Sequence, residues 1–207
     1  MPRGTTDLSG IFLVDKPQGM TSHDVVDAVR RITGERRVGH AGTLDPAATG
    51  LLIVLVGPAT RLAPYLSGAD KKYYARIVFG RETNTDDAEG TITRTASVPA
   101  EFAEEDVATV KVVDLVGDHM QVPPSFSAIK KDGETAYKAA RAGKDIELDA
   151  RPITITDAQL LGVEPGPPIA WNLSLTVSKG TYIRAIARDL GRDLGTAAHL
   201  GMLRRTR

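Results

Sequence analysis

Cysteine is absent from the 207 residues. That excludes disulfides, thiolate catalysis and the common thiolate zinc sites. Net charge is absent as well: Lys+Arg and Asp+Glu both number 26, so bulk electrostatics select no partner. No apolar run approaches the ~20 residues that a membrane helix needs. The strongest run, "LLIVLV" at 51–56, is only strand-sized. Near the N-terminus "IFLV" is followed at once by Asp15 and is too short for the core of a secretory signal. His23, His40, His119 and His199 show no close pairing with one another, so no metal is expected. Internal repeats and long linkers are missing too. These absences lead to the expectation of a soluble, cytoplasmic protein.

What is present suits one large domain with a substantial core, at 42% hydrophobic and 25% charged residues. The balanced charge is unevenly distributed. "RRITGERR" at 30–37 carries four arginines against one glutamate, and the chain finishes "LRRTR". Acidic residues gather in "TDDAEG" and "EFAEED". Separate basic clusters can hold a polyanion locally, although each alone also suits ordinary solvated surface.

The hydrophobic pattern sets out the elements. Ile11 to Val14 reads as a strand ending in a Pro/Gly turn. Thr21 and Asp24 have the spacing of a capping box. Val25, Val26, Val29 and Ile32 then repeat at helical spacing up to a stop at Gly34. "LLIVLV" is a buried strand, and "ATRLAPYLSG" a short helix broken by Pro64. "KKYYARIVFG" is a strand, on which Tyr73 and Tyr74 point to opposite faces. A helix is expected from Glu101 to about Val110, then a strand, an Asp132-Gly133 turn and a helix ending near Gly143. "PITITDAQLLGV" and "AWNLSLTVSKG" alternate as strands, and "TYIRAIARDLGRDLG" is a helix with Thr181 as its cap. Single helices interrupt strands without a βαβ cadence. The fold class is therefore α+β, with a mixed, largely antiparallel β-sheet flanked by helices.

Two segments stand out chemically. In "GHAGTLDPAATG", residues 39–50, Asp45 reads locally as an N-cap before a single turn "PAAT". Yet three glycines surround it, and Pro46 pushes Asp45 out of the helical region, which also suits a poised carboxylate. Phosphate-loop and dinucleotide patterns fail here, and Ser125 and Ser127 in "PPSFSAIK" lack a nucleophile-elbow context. In "SKGTYIRAIARDLG", residues 178–191, Arg184 sits in the first helical turn, where the helix dipole disfavours a cation. It calls for an anionic partner, with Asp45 and an RNA phosphate as the candidates.

"VDKPQGMTS" at 14–22, "GHAGTLDPAATGLL" at 39–52, "DKKYYA" at 70–75 and "SKGTYIRAIARDLG" at 178–191 lie in one order along the chain. With "PPSFSAIK" and "LRR" added, the chain resembles the TruB-type tRNA pseudouridine synthases. The resemblance implies a pseudouridine synthase domain over residues 1–207 with a cleft across its sheet. It implies isomerisation of uridine 55 in the T-loop of tRNA. Matched position by position, Asp45 is the catalytic aspartate, Tyr73 the tyrosine that stacks on the base and takes part in its deprotonation, and Arg184 the arginine paired with the aspartate. Tyr182 and Leu203 line the uridine pocket, and His40 lies beside the flipped-out nucleotide. Lys16 and Pro17 match a motif supporting the catalytic loop, and Lys16 is counted among the substrate-binding residues. Family members continue into a small C-terminal, PUA-like RNA-binding domain that this chain lacks, which suggests a piece of something longer.

The implied reaction breaks an N-glycosidic bond and rejoins the uracil through C5. Nothing is oxidised and no group leaves, so no redox cofactor and no metal is expected. The expected partner is tRNA, through its T stem-loop; a membrane is not, and the chain is expected to be a monomer. A carboxylate can act as nucleophile at C1′ or C6, or assist elimination. Turning the uridine out of the folded tRNA costs roughly a few kcal/mol. Two other readings remain at this stage: an RNA-binding or RNA-folding module without catalysis, and a glycosidic hydrolase with a second carboxylate.

Overall fold

The computed structural model describes residues 6–131, 133–144 and 147–207; Asp132 of the expected turn lies outside them. In chain order the elements are β1 (Gly10–Lys16), α1 (Ser22–Thr33), β2 (Val38–His40), β3 (Thr49–Val56), α2 (Ala63–Ser67) and β4 (Lys71–Phe79). There follow β5 (Arg81–Thr83), β6 (Ile92–Thr95), α3 (Glu105–Val113), β7 (Gly117–Gln121), β8 (Lys130–Lys131), β9 (Glu134–Thr135) and α4 (Ala136–Arg141). Last come β10 (Arg151–Glu164), β11 (Ala170–Val177), α5 (Ile183–Asp193) and β12 (Ala198–Arg205). No helix among the described residues is long and apolar enough to cross a membrane. The chain divides into two compact units. Unit 1 holds the residues up to Tyr73 together with Leu203–Arg207, and unit 2 holds Tyr74–Met202.

Unit 1 is built on β3. It pairs antiparallel with β1, from Gly10 opposite Val56 to Lys16 opposite Gly50, and with β2, His40 facing Val54. The end of β12 adds in parallel, Arg205 opposite Gly50. Helix α1 starts at Thr21, whose hydroxyl accepts from Asp24 N while the Asp24 carboxylate takes the Thr21 N–H: the expected capping box. Gly34 ends it at φ +70°. The apolar face of α1 packs Val25, Val26 and Val29 on Val38, Leu52, Val54 and Val56. Ile32 shares that face by angle but lies a turn beyond the last residue of the cluster, and it is 84% exposed. Pro64 does not break a helix. A 3-10 segment, Gly57–Leu62, runs into α2, and Pro64 sits in the first turn of α2, where its missing N–H costs nothing.

Unit 2 has the strand order β12-β4-β11-β10-β7, with β10 antiparallel to both β11 and β7. Its core centres on Trp171, edge-on to Phe79 at 4.6 Å between ring centroids, with the indole N–H donating to Phe102 O at 2.8 Å. The helix expected from Glu101 is interrupted. Glu104 is extended, so a 3-10 turn, Ala100–Ala103, precedes α3. Helix α5 buries Ile183, Ala185, Ile186, Ala187 and Leu190. Thr181 does not cap it. Tyr182 is the N-cap, and Gln121 holds its backbone from β7: Oε1 accepts from Tyr182 N at 2.9 Å and Nε2 donates to Tyr182 O at 3.1 Å.

Three strands of unit 2 are tied at one end. Glu164 of β10 receives Arg76 of β4 through Nε and Nη2, and Asn172 of β11 at 3.0 Å. These bonds hold the Glu164 carboxyl down to about 2, from an ordinary 4.5. A depressed carboxyl stabilises the fold above its unfolded pKa and loses that contribution as pH falls through the folded value. Thermal unfolding should therefore show a stability loss between about pH 5 and 2 that is shallower in Glu164→Gln. Equal slopes in the two proteins would contradict the assignment.

Candidate active site on the loop between β2 and β3

The chain between His40 and Thr49 must leave β2 and re-enter β3 beside it. Asp45 lies in the middle. No helix forms here. Ala48 N donates to Asp45 O at 3.1 Å, which closes a β-turn in place of the expected "PAAT" helical turn. Pro46 occupies the second position of that turn, where its fixed φ is suited. Asp45 is half-buried, neither sunk in the core nor free on the surface.

The backbone on both sides of Asp45 is fastened. Ser22 is buried at the start of α1; its Oγ accepts from Leu44 N at 2.9 Å and donates to Leu44 O at 3.1 Å. Pro46 O accepts from Gly19 N at 2.8 Å and from Lys16 Nζ at 3.2 Å. Lys16 is fully buried, and its remaining N–H bonds go to Pro17 O at 2.9 Å and Met20 O at 2.7 Å. Three donors meet three carbonyls, so the ammonium is fully satisfied without water. Burial lowers its pKa, and the charges of Asp45 and Asp24 pull it back up. In this geometry the enclosed Lys16 ammonium is spent on main-chain oxygens and supports the loop.

Arg205 closes the loop from the other end. It is buried, with Nε donating to Leu51 O at 2.7 Å and Nη2 to Gly42 O at 3.1 Å. Its guanidinium also hydrogen-bonds the hydroxyl of Tyr73. Close approach of β3 to β12 requires a glycine here. At Gly50, φ is +97° and a Cβ would stand 2.1 Å from Arg205 O. Tyr73 is 7% exposed and Tyr74 42%, as expected for opposite faces of β4. Burial raises the Tyr73 pKa; Arg205 opposes this and the charge of Asp45 adds to it. The phenol is therefore neutral near pH 7, a ring and a hydroxyl and not a phenolate. His40 ends β2, half-buried, and its pKa is lowered by burial, then by Arg205 and His23. Leu203, also half-buried, accepts Thr49 Oγ1 at 3.5 Å through its carbonyl.

Asp45, Tyr73, His40, Lys16 and Leu203 thus belong to unit 1, whereas Tyr182 and Arg184 belong to unit 2. There, Arg184 is buried on α5 and donates to Thr85 O at 2.8 Å and Phe126 O at 3.0 Å. Its Nη1 also lies 3.8 Å from Asp87 Oδ2. These acceptors answer the unfavourable helix dipole at that position. Tyr182 is half-buried, with its backbone clamped by Gln121. Sequence reasoning passed over Ser22, Arg205 and Gln121. Ser22 stood inside the quoted "MTS" but was overshadowed by the cap at Thr21. Arg205 stood inside the quoted "LRR". Gln121 gave no signal. Among the described residues no group of three His, Asp or Glu could hold a metal ion.

The packing at Gly50 leads to a sharp expectation. Gly50→Ala combines a left-handed φ with a clash against backbone, at a cost of about 2–4 kcal/mol. Urea unfolding should show it, and a stability within 0.5 kcal/mol of wild type, roughly the effect of an ordinary surface substitution, would refute the packing at this strand pair.

Against known proteins, the profile of the TruB family pseudouridylate synthase (N terminal domain) matches residues 30–183. The chain is 50% identical over 202 residues to a protein of Arthrobacter sp. (strain FB24) named tRNA pseudouridine synthase B, covering 96% of this chain and 65% of that one. It is 49% identical over 203 residues to the protein of the same name from Thermobifida fusca (strain YX), covering 96% and 69%. The chain therefore spans about two thirds of the length of these relatives. Among solved structures, a chain of a Cbf5-Nop10-Gar1 complex superposes with a TM-score of 0.70 at 29% identity, over 96% of this chain and 48% of that chain. The family match, covering most of the chain, and the identities near one half both lead to one assignment: the chain belongs to the TruB family of pseudouridylate synthases and carries their fold.

Proposed function

We propose that this chain isomerises a uridine of tRNA to pseudouridine, at position 55 of the T-loop, with Asp45 as the catalytic carboxylate. The observation that carries the proposal is the fastening of Leu44 and Pro46 around a half-buried Asp45. A carboxylate needed only as a cap has no use for a backbone fixed on both sides. One that must meet a ribose or a uracil carbon at a set distance does. The names of the relatives, tRNA pseudouridine synthase B, support the substrate class.

In this proposal the target uridine is turned out of the tRNA fold, and phosphate contacts offset that cost. Tyr73 gives the base an aromatic face, worth about 1–3 kcal/mol. Its neutral hydroxyl, held by Arg205, donates or relays a proton more readily than it takes one. Deprotonation at C5 by Tyr73 thus requires its proton to pass to a neighbour in the same step. His40, Tyr182 and Leu203 border the base. Arg184 is proposed as the arginine that pairs with the catalytic carboxylate, the role that the family resemblance implies for it. Lys16 acts through the loop. A hydrolytic reading would need a second carboxylic acid. Asp24, which shares the field of Lys16 with Asp45, is already committed to the cap of α1.

The test is tritium release from tRNA carrying 5-tritiated uridine. The wild type should release it. Asp45→Asn should release none while still binding tRNA, because an amide cannot replace the nucleophile. Near wild-type release by Asp45→Asn would overturn the mechanism. Arg184→Ala should lower the single-turnover rate about 10²–10³-fold, the scale of one lost electrostatic stabiliser, with a much smaller change in tRNA affinity. A loss confined to affinity would contradict the role given to Arg184.

A further inference from the structure

Ser22 has a chemistry that its position does not require. It is the first residue of α1, and the helix already has its cap in Thr21. A serine in that place ordinarily turns to solvent or to its own helix. Ser22 is instead 3% exposed, and both hydrogen bonds of its hydroxyl go 22 residues along the chain to one residue, Leu44. The hydroxyl accepts from the Leu44 N–H and donates to the Leu44 C=O. This fills its donor capacity and fixes the rotor. Leu44 is itself buried, so neither peptide group has water as an alternative.

The two bonds fix the orientation of both peptide planes flanking the Leu44 α-carbon. The second of these planes is the Leu44–Asp45 peptide. Rotation there would swing the Asp45 carboxylate about its own backbone. Ser22 is in turn held by a rigid support, since Val25, Val26 and Val29 of the same helix are locked into the unit 1 core. Lys16 and Gly19 fix the far side at Pro46 O, but a carbonyl held from beyond Asp45 does not set the plane before it.

We infer that Ser22 is a positioning residue for catalysis: its hydroxyl sets the Leu44–Asp45 peptide plane and thereby the aim of the Asp45 carboxylate at the reacting uridine. The inference rests on the proposed isomerase activity. Misplacement of a reacting group by about 1 Å costs on the order of 100-fold. The peptide flanking Asp45, freed from Ser22, should cost about 10–100-fold in rate with little change in tRNA binding.

Ser22→Thr and Ser22→Val form the test, because they share a shape and differ in the hydroxyl. With wild type alongside, three quantities are read: single-turnover tritium release at saturating enzyme, tRNA Kd, and the exchange of the Leu44 amide proton. Ser22→Thr should release tritium within about three-fold of wild type. Ser22→Val should be about 10–100-fold slower, with Kd within two-fold and faster Leu44 exchange. Equal rates in the two variants overturn the positioning role. So does a Ser22→Val defect found only in Kd, or an unfolded Ser22→Val beside a folded Ser22→Thr, which assigns the hydroxyl to stability alone. Failure of both variants to fold has the same meaning. No release by the wild type overturns the activity and with it this role, whereas release by the wild type with equal variants overturns Ser22 only.

Discussion

The carboxylate proposed as the catalytic group stands in a loop, and a group that must meet a reacting carbon needs a fixed position. The constraint on which the rest depends is therefore the fastening of main chain around Asp45. Lys16 and Gly19 take the Pro46 carbonyl, Ser22 takes both polar groups of Leu44, and Arg205 joins Gly42 to Leu51. Lys16, Ser22 and Arg205 come from regular elements, β1, α1 and β12, and are buried, whereas Gly19 is an exposed residue of the turn between β1 and α1. The secondary structure of unit 1 thus ends where it must to hold the loop between His40 and Thr49 without a helix or strand in it.

The electrostatics follow from that arrangement. Fastening carbonyls requires buried donors, and Lys16 and Arg205 supply them as cations. Two buried cations need nearby negative charge to remain ionised cheaply. Asp45 raises the pKa that burial lowers at Lys16, so the loop carboxylate also compensates a support of its own loop. Arg205 and burial act in opposite directions on Tyr73, and burial wins. A neutral Tyr73 suits the stacking role proposed for it, because a phenolate would repel the phosphates of an RNA. In unit 2 the same device recurs: Arg184 and Arg188 are held on backbone carbonyls at Thr85, Phe126 and Val122.

Much of this was legible in the sequence. The α+β class, the largely antiparallel sheet, the capping box, the stop at Gly34 and the opposite facing of Tyr73 and Tyr74 all follow from local rules that bury one face and satisfy one helix end. Most of the failures share a cause. Local rules read Asp45 as a cap before a helical turn, Pro64 as a breaker, Thr181 as a cap and Ile32 as core. For three of them a distant partner or the extent of the packed surface decides: Ser22 for the loop, Gln121 for α5, the limits of the valine cluster for Ile32; Pro64 instead falls in the first turn of α2. The motif containing Lys16 was recognised, but its chemistry became plain only when all three N–H groups were seen to end on carbonyls. Side chains that bond main chain dozens of residues away leave no periodicity behind them.

The most direct test is nucleoside analysis of an unmodified tRNA transcript after incubation with this chain, with the modified position mapped. The account predicts pseudouridine at position 55, equal in amount to the uridine lost, and no free uracil. Free uracil with an abasic site, or an unchanged transcript that remains bound, would contradict it.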